Sequence, residues 1–373
     1  MTKQALVLVF ALAACGDNRA LELDAAPADA PPPSPRAVVV AGNFTPGDVG
    51  VMSSLDLGTM QLSQRVAPNG AIGSDPIVRR VDDELFVVNR ADGNNVTVLD
   101  AKTFAVKEQL ATGAGSNPQD VAVFGDKLFV PVFGGSGVVV LTRGSTTIDT
   151  IDLSNLDPDG KPNCISAFLV GTDVYVACEL LDANFAPRGP GKVAVINASI
   201  QTVRTTLTLA NANPFGVFEQ MPELAGGHLV IPTVPNFVDF SVGCIEKITP
   251  GETPAVSGCV VANQALEGYV ARIDFQLLGT SPIMWMVVSK FDTESRGNLQ
   301  GHDLATDCLW PDPISPPTQV LVDMAICPND TVVVADQTMA ANGLRVYVGG
   351  IETTTTPLAI GLKPGSAHGL TCY

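Results

Sequence analysis

Asp120, Glu267, Asp323 and His368 are the side chains of this 373-residue chain best suited to share chemistry. Three carboxylates and an imidazole could hold Ca²⁺ or another divalent ion, or divide general-acid and general-base work between them. They lie far apart in sequence, so they act together only if the fold converges them. Arg79 and Arg80 join the set as cations able to reach the same place. The plainer expectation is a solvated polar channel with incidental charges, because neither a metal motif nor a nucleophile elbow accompanies the six. Zinc is disfavoured by the lack of any Cys-x-x-Cys and by only three His. No cofactor is required.

The eight Cys suggest an exported chain with a partial disulfide set. Cys244 and Cys259 each stand seven residues from the turn Gly251-Glu252, whose leading glycine suits a type II′ hairpin. That symmetry predicts a bond between thiols directly opposite each other on two strands. Cys164 and Cys178 are symmetric about Gly171 in the same way. Cys308, Cys327 and Cys372 are three thiols for at most one bridge, and spacing does not choose among them.

The elements that must position these groups are written in a repeat. SDPIVRRVDDELFVVNRADGNNVTVLD is followed by SNPQDVAVFGDKLFVPVFGGSGVVVL, with Pro76 recurring as Pro118, Phe86 as Phe129 and Leu99 as Leu141. An offset of 42 or 43 residues is the length of one four-stranded blade. Ile77–Val81, Leu85–Val88, Val96–Leu99 and Ala105–Leu110 read as its four strands, separated by Asp, Asn and Gly. One such sheet cannot bury both faces alone, so copies must stack radially. The expected fold is all-β, a single propeller. Seven blades fit the chain, although six or eight also fit its length. Further blades are marked by Val174-Tyr175-Val176, by Pro214 with Leu229-Val230-Ile231, by Ile283–Val288, and by Asp323 with Val332-Val333-Val334.

Leu85-Phe86-Val87-Val88-Asn89 and Asn95-Val96-Thr97-Val98-Leu99-Asp100, with Asn117-Pro118-Gln119-Asp120-Val121-Ala122-Val123 upstream of Leu128-Phe129-Val130, resemble the YVTN class of β-propeller repeats. Two blades match closely and the others loosely. The resemblance implies seven blades and an extracytoplasmic protein, and leaves function open because the class is mixed. The architecture is also similar to that of propeller lactonases. That likeness gives the alternative reading, a hydrolase or lyase using Asp120, Glu267, Asp323 and His368 around a divalent ion. With only Trp285 and Trp310 present, the repeated Trp docking pattern of quinone-dependent propeller dehydrogenases is absent.

Residues 1–14 join Lys3 to an apolar run too short for a bilayer, which needs about 20 residues, but suited to a signal peptide. Leu12-Ala13-Ala14-Cys15 resembles the bacterial lipoprotein box, which implies lipidation of Cys15 and anchoring to a membrane of the cell envelope. Gly16, where Asp would favour the inner membrane, points to the outer one. Residues 15–36, rich in Pro, Ala and Asp, read as a tether. The folded body is expected over 37–373. A chain that is 46% hydrophobic and 16% charged can bury a large core, and a formal charge of −17 repels nucleic-acid phosphates.

Ala37–Ala41, Val49–Leu57 and Met60–Val66 supply three strands before the repeat, one short of a blade. Ala367–Tyr373 has the form of a lone first strand, so the chain ends are expected to pair and close the ring. Long segments at Glu179–Gly191, Thr233–Gly243, Phe291–Thr306 and Gln337–Gly343 all fall between second and third strands, on the face where one blade connects to the next. Loops held on a rigid scaffold are where binding resides. The leading expectation is therefore a binding or scaffolding module for a protein or glycan ligand on that face.

Overall fold

The computed structural model describes residues 34–373 apart from 237, 291–296 and 366–367. The expected signal peptide, Cys15 and nearly all of the tether lie outside the described residues. The chain forms seven four-stranded antiparallel sheets arranged as a seven-bladed propeller. Blade 2 is the pattern for the rest, with strands Pro76–Val81, Glu84–Asn89, Asn95–Asp100 and Val106–Ala111 running from the channel outward.

The strand sequences follow from stacking. Both faces of a blade are covered, so the middle strands read as unbroken apolar runs such as Leu85–Val88, while the outermost strand, VKEQLA, is largely exposed. Alternate residues then serve opposite neighbours. In blade 1, Val38 and Val40 pack with Val78, Leu85 and Val87 of blade 2, whereas Ala37, Val39 and Ala41 pack with Val333 and Val346 of blade 7. Each blade-to-blade junction has its own apolar cluster of this kind, and none depends on a shared centre.

The ring closes as the strand count predicts. Leu370–Cys372 is the innermost strand of blade 1 and pairs with Arg36–Ala41 through Ala37↔Cys372, Val38↔Thr371 and Val39↔Leu370. The bond left open by the sequence is Cys327–Cys372, which links the residue just past the innermost strand of blade 7, Leu321–Ile326, to the innermost strand of blade 1. Cys164–Cys178 and Cys244–Cys259 are the other disulfides, and Cys308 is an exposed free thiol.

Three expectations need correction. Cys164 and Cys178 do sit opposite each other, but Cys244 faces Ala262 and Cys259 faces Glu246. Two register shifts separate the latter strands and Thr249 pairs with Ala255, so the turn is longer than two residues. The expected loop at 291–306 contains the third strand of blade 6, Gly297–Asp303, whose sequence GNLQGHD lacks the usual Val run. The body also begins before Ala37, since Pro35 accepts a hydrogen bond from the Leu57 amide at 2.9 Å and the Ser34 hydroxyl donates to Asp56 at 2.6 Å.

Candidate functional site: the channel and its loop-face mouth

Innermost strands line the channel, and their polar residues are mostly engaged in joining one blade to the next. Asp120, fully buried ahead of the innermost strand of blade 3, accepts from its neighbour's amide at Val121 and from the Ser166 hydroxyl and Ala167 amide of blade 4 at 3.0 and 3.1 Å. Arg79 of blade 2 donates to both of its oxygens, at 2.8 and 2.9 Å. Asp274 of blade 6 likewise accepts from Phe275 and from Ile326 of blade 7, both at 2.8 Å. Asp323 of blade 7 accepts from Met324 at 2.9 Å and from Leu370 of blade 1 at 2.8 Å. Ser166 repeats the pattern with its hydroxyl, which accepts from the Phe218 amide of blade 5 at 2.9 Å.

A chain of charges then crosses the lumen. Arg79 reaches Glu219 of blade 5 at 3.3 Å, Glu219 pairs with Arg272 of blade 6, and Arg272 stands 3.4 Å from Asp323. Burial opposes the Arg79 charge, but Asp120 and then Glu219 outweigh it and raise its pKa. Asp274 and Asp323 are each pushed up to about 6, by burial above all, with Arg272 pulling the other way. This belt divides the channel into two cups. The one opposite the loop face has a volume of about 430 Å³ and is walled by innermost-strand residues such as Val81, Val123 and Leu169.

The loop-face cup has a volume of about 340 Å³. Its lining comes from the beginnings of innermost strands, including Ile165, Tyr269 and Val322, and from the ends of second strands, including Glu179 and Ser289. Phe215 meets Tyr269 edge-on at 5.7 Å, and Phe240 of the blade 5 loop stacks on Tyr269 at 4.4 Å. That loop is pinned at its base. The Asn263 side-chain amide donates to the carbonyls of Thr233 and Phe240 at 3.2 and 3.1 Å, and Gly243 has φ 126°, where a Cβ would lie 2.2 Å from the Thr233 carbonyl oxygen.

Glu179 is the exceptional member of this cup. Its side chain makes no hydrogen bond or ion pair with any described residue, yet the residue is only 4% exposed. Burial alone drives its pKa well above the ordinary carboxylate value. Its backbone, in contrast, is clamped. Cys178 beside it is bonded to Cys164, the Glu179 amide donates to the Asn163 carbonyl at 3.1 Å, and the Leu181 amide donates to the Asn163 side chain at 2.9 Å. His368 lines the same cup. Its Nδ1 is 3.5 Å from the Arg272 guanidinium, so Nδ1 accepts and the proton sits on Nε2, which has no hydrogen-bond partner among the described residues. Burial first, then Arg272, Arg79 and Arg90, push the His368 pKa well below its ordinary value, so the ring is neutral.

The sequence-derived candidates separate accordingly. Asp120, Asp323 and Arg79 belong to the belt, and His368 sits directly above it. Glu267 does not join them: it ends the short helix Asn263–Leu266, its side chain is 85% exposed, and its neighbour is Lys290 at 4.0 Å. Arg80 turns away from the belt and lies over the Tyr373 ring at 4.9 Å. Among the described residues no group of three His, Cys, Asp or Glu is placed to hold a metal ion. Sequence reading missed Glu179, Arg272, Asp274, Glu219 and Tyr269. A signal for Glu179 does exist, since it is an acid ending the apolar strand VYVAC just after a bonded cysteine.

No protein-family model matches the chain, and no curated protein sequence matches it. Many solved structures share its fold. A candidate 6-phosphogluconolactonase from Bacteroides uniformis has 13% identity and a TM-score of 0.62, with 91% of this chain and 100% of that chain covered. Apo AztD from Citrobacter koseri has 12% identity and a TM-score of 0.54, covering 91% and 98%. A quinoprotein alcohol dehydrogenase-like protein from Bacteroides thetaiotaomicron has 11% identity and a TM-score of 0.58, covering 86% and 76%. At such identities the likeness is one of fold. The chain is thus a seven-bladed β-propeller, like these proteins in architecture.

Proposed function

We propose that this chain is a lipid-anchored protein of the bacterial cell envelope whose propeller captures a small ligand in the loop-face cup. One observation carries the reading: Glu179 is buried without a partner on a backbone held rigid by a disulfide and by Asn163. Holding a carboxylate largely out of bulk water with no partner among the described residues costs stability, so its retention in a preformed cavity beside aromatic side chains is what a binding site requires. Long loops at 179–189, 233–243 and 337–342 surround that mouth and leave Phe185, Val238, Val242 and Met339 exposed, which suits contact with larger partners as well.

The hydrolase alternative needs carboxylates free to bind an ion or move a proton. Asp120 and Asp323 already accept hydrogen bonds on both oxygens, and Glu267 is remote, so the geometry favours binding over turnover. The lipobox supports the anchor. Its test is fractionation: Cys15→Ala should move the protein to the soluble fraction or leave the leader attached, and an unaltered soluble protein that keeps residues 1–14 would refute it. A thermal-shift screen of small polar molecules tests capture. Stabilising compounds should lose their effect in a Tyr269→Ala variant, and hits that are indifferent to Tyr269 would place binding elsewhere.

A further inference from the structure

The loop-face cup has a chemical polarity that narrows its ligand. Its lining is mostly apolar, with Phe215 and Tyr269 among the wall residues. Glu179 enters from blade 4, next to the blade 5 and 6 aromatics. Arg90 and His368 line the part of the wall contributed by blades 2 and 1, and Arg90 is paired with Asp75 at 2.5 Å. Burial alone perturbs Glu179, with no contribution from a cation among the described residues. A lone carboxylate beside aromatic side chains does not suit Ca²⁺, which takes about 6–8 oxygen ligands. It does suit an organic cation, whose charge pairs with the carboxylate and whose alkyl shell packs against the aromatic side chains of the wall.

Resting on the small-ligand reading above, we propose that the cup binds a compact organic ammonium ion, its charge against Glu179 and its alkyl groups against Phe215 and Tyr269. In the empty cup burial, with no offsetting cation, favours the protonated form of Glu179. An ammonium ion supplies that offset, so binding expels the Glu179 proton and tightens as pH rises, until the empty protein loses the proton by itself. Arg90, Tyr269 and His368 are the other titratable groups facing the cavity. His368, already neutral, adds no proton uptake of its own over the same range.

Titration calorimetry of the folded protein with choline, and with the neutral carbon isostere of choline, tests this. Choline should bind at least about ten-fold more tightly than the isostere, and Glu179→Gln should remove most of that preference, as expected for a desolvated cation contact. Repeating the titration in buffers of different ionisation enthalpy should reveal proton release below neutral pH. Equal binding of choline and isostere, both lost in Tyr269→Ala, would overturn the ammonium class while leaving the cavity as the binding site. Binding of both probes unchanged in Tyr269→Ala would overturn the cavity reading too. Failure of choline to bind, or an affinity that is flat from about pH 5 to 8, would overturn the proposal.

Discussion

Asp120 and Glu179 are both buried acids of the channel region, in neighbouring blades, and they have opposite fates. Asp120 sits where the innermost strands of blades 3 and 4 run side by side, so Val121, Ser166, Ala167 and Arg79 all donate to it. Glu179 sits nearer the loop face, past the end of a second strand, where no described backbone amide donates to its side chain. The difference is one of position in the blade, not of residue type. At the level of the belt a carboxylate joins blades, whereas in the cup Glu179 has no side-chain partner among the described residues.

The largest effect should come from breaking the ring at the belt's closing point. The C-terminal strand is held by backbone pairing with Arg36–Ala41, by Asp323 at the Leu370 amide, by Cys327, and by the Tyr373 hydroxyl donating to the Ala101 carbonyl at 2.5 Å. Deleting residues 368–373 should therefore lower the unfolding midpoint by more than about 10 °C or cause aggregation, because an open blade edge replaces a closed one. Deleting 21–33 should leave the midpoint unchanged in the same thermal scan. Equal stability of the two deletions would mean the ring does not depend on its tail.

Next in size is the loss of a joining carboxylate. Asp120→Ala strips Arg79 of its bidentate partner inside a closed lumen and orphans the Ala167 amide, which should cost about 3 kcal/mol in urea unfolding. A cost under about 1 kcal/mol would show that the belt is ornamental. Opening the Cys327–Cys372 bond with a double Ser variant should cost up to about 4 kcal/mol in the chain-entropy model, since it closes 45 residues.

A smaller effect is carried by pH. Asp274 and Asp323 have folded-state pKa values of about 6, above the ordinary 3.8, so the folded state holds their protons more tightly than the unfolded state. Their contribution is present below about pH 4 and is lost as pH rises toward 6, the reverse of a carboxylate depressed by an ion pair. Unfolding free energy should fall by about 1–3 kcal/mol over that window, and Asp274→Asn should flatten part of the fall. Stability that rises across the window even after correction for surface acids would contradict the burial of these two groups.

Much of the scaffold was legible because blades 2 and 3 keep the common spacing and because a missing strand at one end matched a spare strand at the other. The belt was less so. Arg79 and Glu219 meet across the lumen from blades 2 and 5, and no local pattern records a contact that depends on ring closure. The choice of Cys327 for Cys372 needed the adjacency of innermost strands, and the register at Cys244 and Cys259 turned on bulges that leave no mark in spacing. Asp120 and Asp323 were found as channel residues, but a sequence does not say whether a buried acid is satisfied by backbone amides. Glu267, counted with them, lies just after the four-residue helix Asn263–Leu266, at an αL position that presents its side chain to solvent.

The central claim is that Glu179, unlike Asp120, serves no structural partner, and the unfolding free energy of Glu179→Gln tests it most directly. The amide keeps the shape of a protonated carboxyl and carries no charge to bury, so urea unfolding of this variant at neutral pH, without ligand, should lie within about 0.5 kcal/mol of the parent or above it. A loss of more than about 2 kcal/mol, approaching that of Asp120→Ala, would show that Glu179 is itself a joining group and would contradict the account.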